Sequence, residues 1–451
     1  MSEELKIMSN IFTAEITKKN FINFVWPSVL MMVFIAIYYG MDSVLVANMM
    51  GEGPLAALSI AYPIQGIQWG MTIMMASGSS AIVAIKMGEG NMQEANEKFT
   101  SITVLSAIMG VLLMAFMLIF MDPMVDFLGA TPSLEGYVKE FLIIVAFGCP
   151  WAFLSIMAEY YIRVDGHPGY ALFLYIVGGV VHLVAAVILM GPCDMGLRGT
   201  AWANVAGLVA STIAGAAYFV IYKTNLRFVK FKYEWRFVGH CFANGSSEMV
   251  TESAAGITTF FFNMLTMKMA GETGVAAVSI VLNVHYLIIS VFLGYVMGVA
   301  PLISYFYGAK AYDKVNQVIR YSLNFILVFS VAAAVIALTL GHFIVMIYER
   351  PGTELYDLCI AGVRFLAPAL LLGGINVFAS GFFTAYGNGV ISAIISASRA
   401  LIFVIIGMYL LSWMFGMTGV WLTLTFAEVI TLGLTFWMFG KFKDRYHYKI
   451  F

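Results

Sequence analysis

The chain is short of charge. Asp, Glu, Lys and Arg make up 11% of its 451 residues, where soluble domains carry about 25%. That deficit excludes an ordinary soluble fold, although the length alone would suit two or three soluble domains. The net charge is only −1, which leaves no basic excess with which to hold a nucleic acid. Cysteine is scarce as well: Cys149, Cys193, Cys241 and Cys359 form neither a CxxC nor a His-Cys spacing, so they read as packing residues rather than a redox or metal site. HExxH, Gly-x-Ser-x-Gly and paired-histidine motifs are all missing, and with them the signatures of an enzyme. The segment 1–20 carries Glu3, Glu4, Lys6 and Glu15 ahead of Lys18 and Lys19 and has no small-residue cleavage site. It reads as a cytoplasmic extension, not a signal peptide.

What is abundant is apolar sequence, 61% of the chain. A membrane span needs roughly 20 apolar residues. Runs of that kind predict helices near 21–47, 55–85, 99–121, 136–162, 170–190, 198–222, 242–269, 275–306, 318–347, 356–384, 391–414 and 418–440. Clusters such as Gly51-Glu-Gly-Pro54, Gly166-His-Pro-Gly169, Pro351-Gly352 and Gly387-Asn-Gly389 separate them.

The chain also repeats itself. Gly51, Glu52, Ala56, Ala57, Ser59, Ile60, Gly78 and Gly88 recur 220 residues later as Gly271, Glu272, Ala276, Ala277, Ser279, Ile280, Gly298 and Gly308. Asn96 returns as Asn316, and Gly196/Gly199 as Gly416/Gly419. The expected fold is therefore an all-α membrane protein of twelve transmembrane helices in two six-helix lobes. An even number of helices per copy inserts both copies the same way up, so a pseudo-two-fold axis should run along the membrane normal. The lobes are 21–222 and 242–440, joined by a cytoplasmic linker 223–241 and followed by a tail 441–451. All but six of the 24 lysines and arginines fall in segments that are inner if the N-terminus is inside; Lys139, Arg198, Lys268 and Arg350 are outer, and Arg364 and Arg399 lie within spans. This bias places both termini in the cytoplasm of a cell-membrane protein.

An ionisable group at mid-membrane costs about 2.5–3.5 kcal/mol on insertion scales, so each needs a reason. Glu248 and Glu252 lie four apart on span 7 and share one helix face, which suits a site that takes up and releases a proton or cation. Asn283 and His285 sit about 15 Å deep on span 8, and Gln65 holds the repeat position of His285. With Gln68 and Asn376 they are candidates for lining a wet substrate cavity. Arg399 and Glu428 lie at matching depth on neighbouring spans and are expected to form a buried structural or gating pair. Glu159 and Arg163, four apart at the inner end of span 4, are expected to pair locally at the interface. Phe and Met faces suit flat organic cations.

Trp26-Pro27, Met41-Asp-Ser-Val-Leu-Val46, Leu55-Ala-Ala-Leu-Ser-Ile60, Arg163-Val-Asp-Gly-His-Pro168, Gly196-Leu-Arg-Gly-Thr-Ala201, Asn283, Ala385-Tyr-Gly387, Ser396-Ala-Ser-Arg399 and Gly416-Met-Thr-Gly-Val-Trp421 occur in this order. Together they resemble the multidrug and toxin extrusion (MATE) family of the flippase-like transporter superfamily, over about residues 20–440. The resemblance implies export of organic, often cationic or amphipathic compounds by a monomer embedded in the bilayer. It also implies exchange for H⁺ or Na⁺, with no cofactor beyond that ion. Asp42 matches the coupling-ion carboxylate of the family's first helix. Where the family carries an Asn and an Asp on helix 5 and a Thr on helix 6, this chain has His182, Ala186 and Asn204. Glu252 roughly matches a glutamate used in another branch, so Na⁺ is an option at Asp42 or Glu252. The chain's single carboxylate beside His182 favours the proton, with Asp42 as the protonation site and His182 tuning it. An alternative within the superfamily is a flippase or exporter of a lipid-linked or natural-product precursor, which calls for basic residues in the cavity.

Overall fold

The computed structural model describes residues 11–12, 15–50, 52–132, 134–222 and 224–449, without the side chains of 39–50 and 52–56. The described residues form helices and connections only. In order they are α1 Lys18–Met50, α2 Glu52–Gly88, α3 Met92–Ile119, α4 Met121–Phe127, α5 Glu135–Val164, α6 Pro168–Met190, α7 Leu197–Ile221, α8 Trp235–Gly308, α9 Tyr312–Met346, α10 Glu354–Ala385, α11 Gly389–Ala397, a π turn Ser398–Ile402, α12 Phe403–Phe415 and α13 Met417–Tyr446. Among the described residues, eleven segments are long and apolar enough to cross a membrane.

One of them, α8, has 74 residues. As a straight helix it would run about 110 Å, several times the hydrocarbon thickness of a bilayer. It breaks at Gly271, whose φ of 60° and ψ of −151° are non-helical. Two arms result, 235–270 and 272–308, corresponding to the seventh and eighth sequence runs. Other helices outrun their apolar stretches at the polar ends. The third begins at Met92 rather than near 99, because Asn91 caps it by accepting from the Glu94 amide at 3.2 Å and the polar first turn stays helical outside the apolar run. The short helix α4 and the π turn have no signature in hydropathy.

The two halves meet through glycines, and the contacts obey the 220-residue shift. A Cβ on Gly88 would lie 2.0 Å from the Tyr305 carbonyl oxygen, and one on Gly308 would lie 2.1 Å from that of Ile85. Adding 220 to Gly88 and Ile85 gives Gly308 and Tyr305, so each contact is the image of the other. Gly78 likewise abuts Cys241 and Gly245, and its counterpart Gly298 abuts Val25. A self-complementary interface of this kind is what a two-fold relation produces. All these contacts lie toward the C-terminal ends of α2 and of the second arm of α8. Toward the other end, at Gly66 and Gly256, a Cβ would meet no atom of a neighbouring element within 4 Å.

Segments outside the spans brace the same end. The Asn96 side chain accepts from the Arg227 amide at 2.8 Å, and its repeat mate Asn316 accepts from the Lys449 amide at 2.7 Å. Thr100 accepts from the Val229 amide at 3.1 Å, and Lys98 pairs with Glu234 at 3.3 Å. Ahead of α1, Phe12 and Ile16 are buried in the core of the second half beside Phe306 and Val315, and Gln317 donates to the Ile16 carbonyl at 2.8 Å. Each half thus holds the lead-in to the other half's first helix. Because the Asn96 bond is partly exposed, Asn96→Ala should cost about 0.5–1.5 kcal/mol. Thermal unfolding of the purified variant checks this, and amide exchange should quicken at Arg227 first.

Candidate functional site

The first cavity lies inside the N-terminal half, among α1, α2, α5, α6 and α7, and has about 620 Å³ of empty space, part of it open at the mouth. Its polar lining includes Glu159, Tyr175, His182, Asn204 and the hydroxyls of Ser155 and Ser211, with Phe34, Tyr38 and Trp69 as an aromatic wall. Glycines make the room: Gly178, Gly179 and Gly207 all line it, which lets α6 and α7 approach closely. His182 is buried, and its ring meets that of Tyr38 edge to face at 5.0 Å. The structure thus brings His182 and Asn204 to one cavity. Asp42 belongs to α1, one turn beyond Tyr38, but its side chain lies outside the described residues.

The second cavity sits between the halves, with about 470 Å³ of empty space. It is lined by Ser77, Ser80, Tyr160, Arg163, Glu248 and Thr384, with apolar residues of α8 and α10. Glu252 follows Glu248 by one turn, where α8 packs on α2: a Cβ on Gly70 would lie 3.4 Å from that of Glu252.

Glu159 and Arg163 bridge the two cavities. Glu159 lines the first and Arg163 the second. Their side chains are each 1% exposed and pair at 2.5 Å. The expected local pair is therefore formed, and both of its members are buried inside the bundle rather than exposed on its surface. The Arg163 guanidinium also lies over the Tyr160 ring, 4.5 Å from its centroid, a cation–π contact. Glu159 Oε2 is buried without a hydrogen bond of normal geometry.

A third cluster lies in the C-terminal half. Arg399, in the π turn, pairs with Glu428 of α13 at 3.2 Å; the two side chains are 8% and 5% exposed. Asn376 of α10 donates to Glu428 Oε2 at 2.7 Å and to the Glu428 carbonyl at 3.0 Å, while Thr435 donates to its amide oxygen at 2.8 Å. Asn376 is completely buried and committed to this network. Gln68 is buried, Gln65 and His285 are half-buried and Asn283 is exposed; none of these four lines either cavity.

Sequence reading passed over Glu159 as a cavity residue, because its place near the end of an apolar run resembles an interface position. It also gave no task to Asp165. That carboxylate is fully buried and accepts from the Asn225 and Leu226 amides at 2.8 and 3.0 Å and from the Tyr218 hydroxyl at 2.6 Å. The Arg163-to-Pro168 motif therefore ties the inter-lobe linker to α5 and α7. The clue in sequence was an acid fixed between a cavity arginine and a helix-starting proline.

Apolar helices enclosing ionisable groups, built as two like halves, define a polytopic membrane transporter. The chain belongs to the MatE family, whose model matches residues 27–188 and again 249–410. Among its relatives, the multidrug export protein MepA of Staphylococcus saprophyticus subsp. saprophyticus is 21% identical over 406 residues, 88% of either chain. The FAD transporter of Shewanella oneidensis is 21% identical over 405 residues, 85% of this chain and 86% of that one. The crystal structure of MATE in complex with MaL6 superposes with a TM-score of 0.91 at 18% identity, over 99% of this chain and 100% of that one. At that identity the likeness shows the fold. The chain is accordingly a multi-span membrane transporter.

Proposed function

We propose that the protein is a secondary antiporter of the cell membrane that exports organic, cationic or amphipathic compounds in exchange for protons. In this reading twelve spans form two six-helix lobes, 21–222 and 242–440, related by an axis along the membrane normal, with both termini cytoplasmic. The symmetry-related glycine contacts and the break of α8 at Gly271 support that arrangement. The contacts cluster at the lysine- and arginine-rich end, so the halves are closed toward the cytoplasm and the cleft opens outward.

The observation that carries the reading is the Glu159–Arg163 pair set between two cavities. While Glu159 is ionised it holds Arg163, and the carboxylates Glu248 and Glu252 are free to hold a cationic cargo. A proton entering the N-terminal pocket, by way of Asp42 with His182 and Asn204 beside it, and reaching Glu159 would release Arg163. The freed guanidinium would then compete with the cargo for Glu248. Cargo and proton exclude one another, as antiport requires. Na⁺ is the lesser choice, since a dehydrated Na⁺ needs several oxygen ligands and His182 supplies nitrogen. An anionic cargo is disfavoured because Arg163, the cation on the central cavity's lining, is already paired with Glu159.

Asp42→Asn tests the entry step. In proteoliposomes, efflux of a fluorescent organic cation driven by a pH gradient should fall at least tenfold, while binding of the cation to the purified variant persists. Undiminished pH-driven efflux would remove Asp42 from the pathway.

A further inference from the structure

We infer that the C-terminal half carries its own cation: Arg399 fills, as a tethered guanidinium, the space that the N-terminal half keeps open as its cavity. The inference rests on the proposal that the N-terminal pocket is the exchanging site, and it adds that the second half has been closed to exchange.

Backbone landmarks set the register between the halves. Gly166 and Gly387, with φ of 100° and 74°, sit in the turns after α5 and α10 and are 221 residues apart. Gly196 and Gly416 precede α7 and α13 with φ/ψ of 57°/−141° and 59°/−136° and are 220 apart. In this register Ser155 corresponds to Asn376, Gly178 to Arg399 and Leu208 to Glu428. All three N-terminal residues line the open cavity. All three C-terminal residues belong to one hydrogen-bonded cluster.

Side-chain size explains the difference. Gly178 lies where α6 crosses α7 at the cavity's edge, and a Cβ there would lie 2.2 Å from Ser211 Oγ and 3.1 Å from the Gly207 carbonyl oxygen. Its counterpart is the largest cation available to a protein. The α-helical path is broken by the π turn Ser398–Ile402 at this point, and such single-turn insertions re-aim the side chains they carry. The guanidinium so delivered meets a buried carboxylate whose other oxygen is held by Asn376. A planar ion with forked donors suits that carboxylate. Removing the arginine should therefore leave a small anionic site with a preference for free guanidinium.

The probe is guanidinium chloride at low millimolar concentration, well below denaturing levels, titrated against purified Arg399→Gly. Arg399→Ser is run alongside, because its hydroxyl can solvate Glu428. The thermal midpoint of either variant should lie below wild type and rise by several degrees, saturably, with guanidinium. It should not rise with tetramethylammonium at equal ionic strength. Wild type and the double variant Arg399→Gly/Glu428→Gln should show no such rise. In proteoliposomes the single variants should bind a second exchangeable cation per cycle, seen as a shifted reversal potential. Absence of saturable stabilisation in both variants would overturn the inference, as would failure of both to fold even when made with guanidinium present. If stabilisation is seen but no antiport, the assignment of Arg399 stands and the antiport proposal falls.

Discussion

Replacing Arg163 with leucine should abolish pH-driven efflux and lower stability by about 3–5 kcal/mol, the cost of leaving one member of a buried ion pair alone. Glu159 would remain, 1% exposed, with neither oxygen compensated by charge. The cation–π contact with Tyr160 would go as well. The double variant Glu159→Met/Arg163→Leu removes the stranded charge and should recover most of the stability, since an apolar replacement of a whole buried pair is often neutral. It should not recover transport, because neither the proton site nor the competing guanidinium is left. Thermal unfolding and efflux measured on the same preparations separate the two effects. Recovery of efflux along with stability in the double variant would mean that the pair only holds α5 in place.

Gly245→Ala is expected to have the second largest effect, and a state-selective one. A Cβ at that position would lie 1.8 Å from the Met74 carbonyl oxygen and 2.7 Å from its carbon, both backbone atoms that cannot rotate away. Overpacking of this kind costs about 1–3 kcal/mol. The cost falls only on the conformation in which α2 and α8 touch. The balance between that state and one with the halves parted should therefore move by about 5- to 150-fold. Spin labels at Ile85 and Tyr305, one on each side of the contact, should report a shorter distance in a background freed of native cysteines than in the same background with Gly245→Ala. Equal distances in both would show that the contact does not govern which side is open.

Much of this molecule was legible in its sequence, for identifiable reasons. Apolar runs mark helices well because a backbone in lipid must satisfy its own hydrogen bonds. The 220-residue repeat of glycines was visible because close helix contact tolerates no side chain at Gly78, Gly88 or Gly308 and leaves little room for one at Gly298. Matching depth on adjacent spans was enough to set Arg399 opposite Glu428, and they lie 3.2 Å apart. Other features depend on how helices turn toward one another, which periodicity in uniformly apolar spans does not reveal. Glu159 looked interfacial and is sealed within the bundle. Asn376 looked like a cavity amide and is spent on Glu428 and Thr435. The straps made by Phe12, Ile16 and 224–234 could not be read at all, because short irregular segments carry no period.

The most direct test uses wild-type protein in sealed proteoliposomes loaded with a fluorescent organic cation. Imposed pH and Na⁺ gradients are applied separately, and efflux of the cation is followed together with internal pH. The proposal requires efflux that follows the pH gradient, reverses when that gradient is reversed, and is matched by proton movement in the opposite direction. Efflux driven by the Na⁺ gradient alone, with internal pH unmoved, would contradict it.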